Sequence, residues 1–156
     1  MDVEAIVELM RRELPGLDVL EHEGNRFFYY RPLAGEPDHR LPFATIVTGD
    51  DPHEGGVARL DRPGVFRFNV AAGREEYERR FGPLPAPRPD WGVLDTGHDH
   101  AALDTLMPHP VYAPMGWVCV LNPGEGTWRE VWPLVVAAFE TARRQREARD
   151  GRAARP

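Results

Sequence analysis

Two short stretches of this chain hold residues whose types and spacing could do chemistry. The later one is His109-Pro-Val-Tyr112, where prolines at 108, 110 and 114 restrict the backbone. A histidine and a phenol held there at low entropic cost could work as an acid–base pair or anchor a ligand. The structural alternative has His109 donating to a backbone carbonyl and Tyr112 packing its ring at the edge of a core. The earlier stretch is Val65-Phe-Arg-Phe-Asn-Val70. As a strand it sends Val65, Arg67 and Asn69 to one face and Phe66, Phe68 and Val70 to the other. Arg67 and Asn69 are poor core residues. Their face is either solvated or lines a polar cleft, and the plainer readings are a solvated face or an ion pair between Arg67 and a nearby acid such as Asp61. In a cleft the guanidinium could hold a carboxylate or phosphate in two-point fashion. Trp117 joins Arg67 and Asn69 as a candidate ligand-binding residue.

Two further clusters are weaker. His98, His100 and His109 place three imidazoles within twelve residues, a donor type that suits zinc or iron. Histidines two apart diverge on a helix, however, and no His-x-x-x-His or Glu-x-x-His pair supports them. Asp50, Asp51, His53 and Glu54 lie in a glycine-flanked loop without the spacing of a calcium-binding loop, and read as a solvated turn. No metal and no cofactor is expected. The chain lacks a phosphate-binding Gly-Lys loop, a nucleophile elbow, a dinucleotide fingerprint and a Cys-x-x-Cys pair, and it contains no serine at all.

The totals bound the remaining options. A length of 156 residues predicts one domain, drawn here as 1–142 with a charged, frayed tail over 143–156. Hydrophobic content of 42% and charged content of 28% are ordinary for a chain with its own core. All 19 basic residues are arginine, and the formal net charge of −6 supplies no field to attract a polyanion. Neither nucleic acid nor a membrane is an expected partner. The lone Cys119 sits in an apolar run and reads as a small buried hydrophobe. With no apolar leader and no run of membrane-spanning length, the chain is expected to be soluble and cytoplasmic.

The elements that must position these residues follow from periodicity. Residues 2–14 read as a helix capped by Asp2 and ended by Pro15-Gly16. Leu17–Glu21 and Arg26–Tyr30 read as strands of a hairpin across Glu23-Gly24-Asn25. Residues 31–41 read as a loop, Pro42–Thr48 as a third and central strand, Val65–Val70 as a fourth, and Gly73–Phe81 as a short helix. Four prolines at 83, 85, 87 and 89 make residues 82–91 a stiff connector. Asp99 is expected to cap a helix from His100 to Met107. Trp117–Leu121 is the clearest buried strand. Thr127 and Glu130 form a capping box for the last helix, with Pro133 requiring a late or irregular start. Strands grouped before the closing helix predict an α+β fold, an antiparallel sheet covered by an N-terminal and a C-terminal helix.

Several phrases taken together carry a resemblance: Leu41-Pro-Phe-Ala-Thr-Ile-Val47, Leu60-Asp-Arg-Pro-Gly-Val-Phe-Arg-Phe-Asn69, Leu103-Asp-Thr-Leu-Met-Pro-His-Pro-Val-Tyr112 and Gly116-Trp-Val-Cys-Val-Leu-Asn-Pro123. As a set they resemble an uncharacterised actinobacterial domain-of-unknown-function family, over about Val3 to Ala142. More weakly, the opening helix ending at Leu14-Pro-Gly, the strand led by Trp117 and the closing helix are similar to the MmcQ/YjbR-like group. That likeness implies a small α+β domain with a frataxin-like layout, in a group discussed as DNA-binding by shape, whereas this chain is acidic and has no lysine. The rings at Phe27, Phe28, Tyr29, Tyr30, Phe43, Phe66, Phe68, Trp91, Trp117, Trp128 and Trp132 exceed what one helix–sheet contact needs, so some must line a pocket or a partner surface. The expected function is binding of a small aromatic or anionic molecule in a cleft on the sheet. The alternatives are a small cofactor-free enzyme using His109 and Tyr112, or an interaction or regulatory module working as a homodimer.

Overall fold

The computed structural model describes residues 1–31 and 40–155. Asp2 accepts a hydrogen bond from the Ala5 backbone N–H at 2.8 Å and opens helix α1 (Val3–Glu13). Glu4 sits in the first turn and Arg11 and Arg12 in the last, each charge matched to the helix dipole. Strands β1 (Leu17–His22) and β2 (Asn25–Tyr30) form the predicted hairpin. Its two-residue turn, Glu23-Gly24, has φ of 51° and 81°, the left-handed geometry that matches strand twist. Strands β3 (Ala44–Val47), β4 (Arg67–Ala71), β5 (Met107–Pro108) and β6 (Trp117–Leu121) complete a sheet of order β1-β2-β3-β4-β6-β5. Every neighbouring pair is antiparallel. With helices α2 (Arg74–Phe81) and α3 (Glu125–Ala153), this is the α+β architecture expected from the sequence.

One face of the sheet is buried against the helices. Phe28, Ile46, Phe68, Val70, Val118 and Val120 meet Ile6 and Met10 of α1 and Val131, Leu134, Val135 and Phe139 of α3 in a single buried cluster. Rings lock this contact edge to face: Phe68 with Trp128 at 5.1 Å between centroids, and Tyr30 with Phe139 at 5.5 Å.

Three local expectations give way to tertiary structure. The helix expected from His100 to Met107 does not form. Asp99 caps only one turn, accepting from the Ala101 N–H at 3.0 Å. The chain then runs beside β6, with Leu103 bridged to Leu121, the Asp104 N–H donating to Leu121 at 2.7 Å, and Met107–Pro108 paired with Val118 and Cys119. The free edge of β6 offers backbone partners that a short helix would leave unused. Pro108 is tolerated because β5 is the edge strand. The capping box at Thr127 is also replaced: α3 begins three residues after Asn122, with Gly124 as its cap. The Asp104 carboxylate accepts from the Gly124 N–H at 2.7 Å, which places a negative charge at the helix start and holds that carboxyl below its ordinary pKa. Pro133 lies on the exposed side of α3 and the helix passes through it. Finally, the helix continues past Arg143, where fraying was expected, to Ala153. Arg143 pairs with Glu140 and Glu147, Arg146 pairs with Asp150, and the Tyr30 hydroxyl donates to Glu147 at 3.3 Å. Of the loop expected over 31–41, positions 32–39 lie outside the described residues.

Candidate functional site

Alternation along the strands decides which side chains face away from the helices. On β2 these are Asn25 and Phe27, on β3 Thr45 and Val47, on β4 Arg67 and Asn69, and on β6 Trp117. Two connections wall this second face. One runs from Gly49 through a 3-10 turn at Pro52–Glu54, where Asp51 caps the turn by accepting from the His53 N–H at 2.8 Å. Asp50 accepts from the Leu60 N–H at 2.9 Å, and His53 Nε2 lies 2.7 Å from the Trp91 carbonyl. The other wall is His109 to Gly116, which ends in a 3-10 turn at Ala113–Met115. Gly116 closes that turn at φ 80°, and a β-carbon there would sit 2.8 Å from the Gly73 carbonyl carbon. Only glycine fits, and its tight seat fixes where His109, Tyr112 and Met115 project. Between the walls is an open cavity of about 680 Å³, large enough for a small organic ligand.

The five residues singled out in the sequence, Arg67, Asn69, His109, Tyr112 and Trp117, all line this one cavity. Arg67 and Asn69 are not solvated, and Arg67 does pair with a nearby acid, which is Glu54 and not Asp61. Both are buried, at 3% and 2% exposure. The Arg67 guanidinium donates to Glu54 twice, Nη1 to Oε2 at 2.8 Å and Nη2 to Oε1 at 3.0 Å. Its Nε donates to Asn69 Oδ1 at 2.8 Å, and Asn69 Nδ2 donates to Thr45 Oγ1 at 2.9 Å. Burial alone would lower the arginine's pKa. The Glu54 hydrogen bond, with the neighbouring Cys119, Glu54 and Asp50, outweighs it and raises the pKa above the ordinary value.

His109 is 2% exposed and is held differently from the expected donation to a carbonyl. Its Nδ1 accepts from two backbone N–H groups, Val111 at 3.1 Å and Tyr112 at 3.0 Å. Burial, then the charge of Arg67, then His100 push its pKa well below the ordinary value, so the ring is neutral. Tyr112 stacks obliquely on His109, with centroids 4.9 Å apart and planes at 34°, and Trp117 stands 6.4 Å from Tyr112. The rim is apolar and open: Tyr112, Met115 and Leu41 keep 45%, 52% and 82% of their surface exposed. Behind the floor, Cys119 is fully covered and burial pushes its thiol up to about 12, so it has the hydrophobe's place expected for it.

The other candidate clusters do not assemble. His98 is exposed and bonded to Thr96, while His100 Nε2 lies 3.2 Å from the Leu94 carbonyl. Among the described residues no three His, Cys, Asp or Glu side chains are disposed to hold a metal ion. In the Asp50–Glu54 loop, Glu54 serves as the counter-ion of Arg67, a role its position in the sequence does not announce. Phe27, Thr45 and Val47 were not singled out as site residues. Their alternation on β2 and β3 was visible, but strand order and register were needed to bring them beside Arg67.

The fold and this surface define an α+β protein with a cavity on the face of its antiparallel sheet opposite α1 and α3. The chain belongs to DUF6194, a family of unknown function whose model matches residues 1–151. No curated protein and no solved structure matches it. Among the described residues no helix is long and apolar enough to cross a membrane.

Proposed function

We propose that this protein binds a small, flat, largely aromatic molecule in the sheet-face cavity, and that binding rather than turnover is its chemistry. The observation that carries the reading is convergence: Arg67 and Asn69 from β4, and His109, Tyr112 and Trp117 from a stretch about forty residues later, line one hollow. Phe27, Tyr112 and Trp117 supply ring surface, and Arg67, Asn69 and His109 supply oriented polar groups at the floor. Of the two ligand classes the sequence leaves open, the lining favours the aromatic over the anionic. Among the described residues its single guanidinium is already paired with Glu54, and Asp50 and Asp51 add further negative charge.

The alternative, acid–base catalysis by His109 with Tyr112, needs an imidazole lone pair facing the substrate. The Nδ1 lone pair of His109 is taken up by two backbone N–H groups, which favours the binding reading. Homodimerisation through the apolar rim is the competing use of the same surface. Thermal melting of the full chain against neutral, anionic and cationic aromatic fragments tests the proposal. Neutral aromatics at saturating concentration are expected to raise Tm by mass action, equivalent to about 2.7 kcal/mol at a hundredfold excess over Kd. Trp117→Ala is expected to abolish the shift. A protein that no aromatic fragment stabilises, with its rim covered by a second copy in solution, would point to the interaction module.

A further inference from the structure

The tautomer of His109 follows from its hydrogen bonds. A ring nitrogen that accepts two backbone N–H groups cannot itself carry a proton, so the proton of the neutral imidazole is on Nε2. That Nε2–H faces Arg67 Nη2 across 3.4 Å. Both nitrogens are donors, so the contact is not a hydrogen bond between them. Three of the five N–H bonds of Arg67 are taken by Glu54 and Asn69. The second hydrogen on Nη2 is left for an acceptor, as is the hydrogen on His109 Nε2. Buried donors of this kind are normally satisfied. The described protein atoms place no oxygen between them, and both residues line the cavity.

Resting on the binding reading, the geometry points to a carbonyl-oxygen subsite at the floor of the cavity, in which Arg67 Nη2 and His109 Nε2 both donate to one neutral acceptor oxygen of an aromatic ligand. Two donors 3.4 Å apart can each reach a shared oxygen at an ordinary hydrogen-bond length of about 2.9 Å. The ligand class is an aryl ketone, aryl amide or lactone. A carboxylate is disfavoured because Glu54 already occupies the guanidinium and Asp50 and Asp51 share the lining. The donors are preorganised. Asn69, itself bonded to Thr45, fixes the Arg67 Nε, and the proline-flanked Val111 and Tyr112 amides fix the imidazole plane. Tyr112 and Trp117 stand beside the histidine at 4.9 and 6.5 Å, where a ring joined to that oxygen would lie.

Two measurements on the full chain test this. The first needs no ligand: long-range proton–nitrogen correlation spectra of the histidine side chains between pH 6 and 8. A bare Nδ1 and a protonated Nε2 are expected for His109, and a proton on Nδ1 overturns the subsite. The second uses three matched probes, 2-acetylnaphthalene, 2-ethylnaphthalene and 2-naphthoate, titrated against the wild type and His109→Phe. The ketone is expected to bind at least tenfold more tightly than the hydrocarbon and more tightly than the carboxylate, with the preference collapsing in His109→Phe. Equal binding of ketone and hydrocarbon by the wild type overturns the subsite and leaves the aromatic cavity standing. Tightest binding by the naphthoate overturns the neutral-oxygen assignment. Binding of none overturns both.

Discussion

The two faces of this sheet are built from adjacent residues of the same strands and do opposite things. Phe28, Ile46, Phe68, Val70 and Val118 point into the helices and are at most 1% exposed. Phe27, Thr45, Val47, Arg67, Asn69 and Trp117 differ from them by one step along the chain and line the cavity. The helical face is covered by apolar side chains of α1 and α3 in one buried cluster. The opposite face is covered by loops. At one end Ala58, Leu60 and Val65 pack on Leu121 as a small second cluster. At the other end the loops stand off as walls, and the floor is a hydrogen-bonded chain from Thr45 through Asn69 and Arg67 to Glu54. One face thus contributes stability and the other is shaped by polar geometry, so the same substitution should read differently on each.

The largest contrast is between two phenylalanines. Phe68→Ala empties a fully buried site and is expected to cost about 3–5 kcal/mol. Phe27→Ala, on the partly exposed side of β2, is expected to cost under about 1 kcal/mol while weakening binding of aromatic probes. Urea unfolding with a titration of each variant checks both. Equal losses of stability would mean that the second face is packed as tightly as the first.

Breaking the polar chain comes next. Glu54→Gln leaves the Arg67 charge buried without its counter-ion, a lesion that typically costs about 3–5 kcal/mol. The lower end, about 3 kcal/mol, is expected because Glu54 keeps 12% of its side chain exposed. Adding Arg67→Met should recover part of the loss, since it removes the buried charge that Glu54→Gln leaves without a counter-ion. Chemical denaturation of the single and double variants distinguishes a counter-ion from a bystander: no recovery in the double variant would remove the pairing from the account.

Local signals were strong enough to reveal the hairpin, the alternation on β4 and the apolar stripes of α1 and α3, because each is written within a few residues. The convergence on one cavity was not written locally. It depends on β4 lying between β3 and β6, and strand order is set by the packing of the whole sheet. The failed helix at 100–107 shows the same limit from the other side. Asp99 is a genuine cap, and nothing within those residues announces that the edge of β6, some fifteen positions later, will claim the backbone instead. Glu54 was legible only as a member of an acidic loop, since its partner lies across the cavity on β4.

The smallest expected effect tests the most specific feature of the second face, the neutral imidazole. The groups facing His109 are Arg67, which carries a positive charge, and His100, with Tyr112 and Trp117 as ring neighbours. Burial, these charges and the two amides on Nδ1 all oppose protonation in the folded state, whereas in the unfolded chain the ring titrates near 6.5. Above that pH both states hold the ring neutral and the histidine contributes no pH dependence. As pH falls below it, the unfolded chain takes up a proton that the folded protein refuses, and stability drops with a slope of up to about 1.4 kcal/mol per pH unit until the native pKa is reached. His109→Gln, which keeps an acceptor for the amides and a donor toward the cavity, should remove that increment. Stability curves of the wild type and variant from pH 7.5 to 5 are compared by difference, because every other acid and histidine titrates in both. A variant whose acid slope matches the wild type's would mean that His109 takes up its proton in the folded state as readily as in the unfolded one. Below about pH 6.5 the cavity floor would then carry a second cation beside Arg67 and would select an anion, not a neutral oxygen.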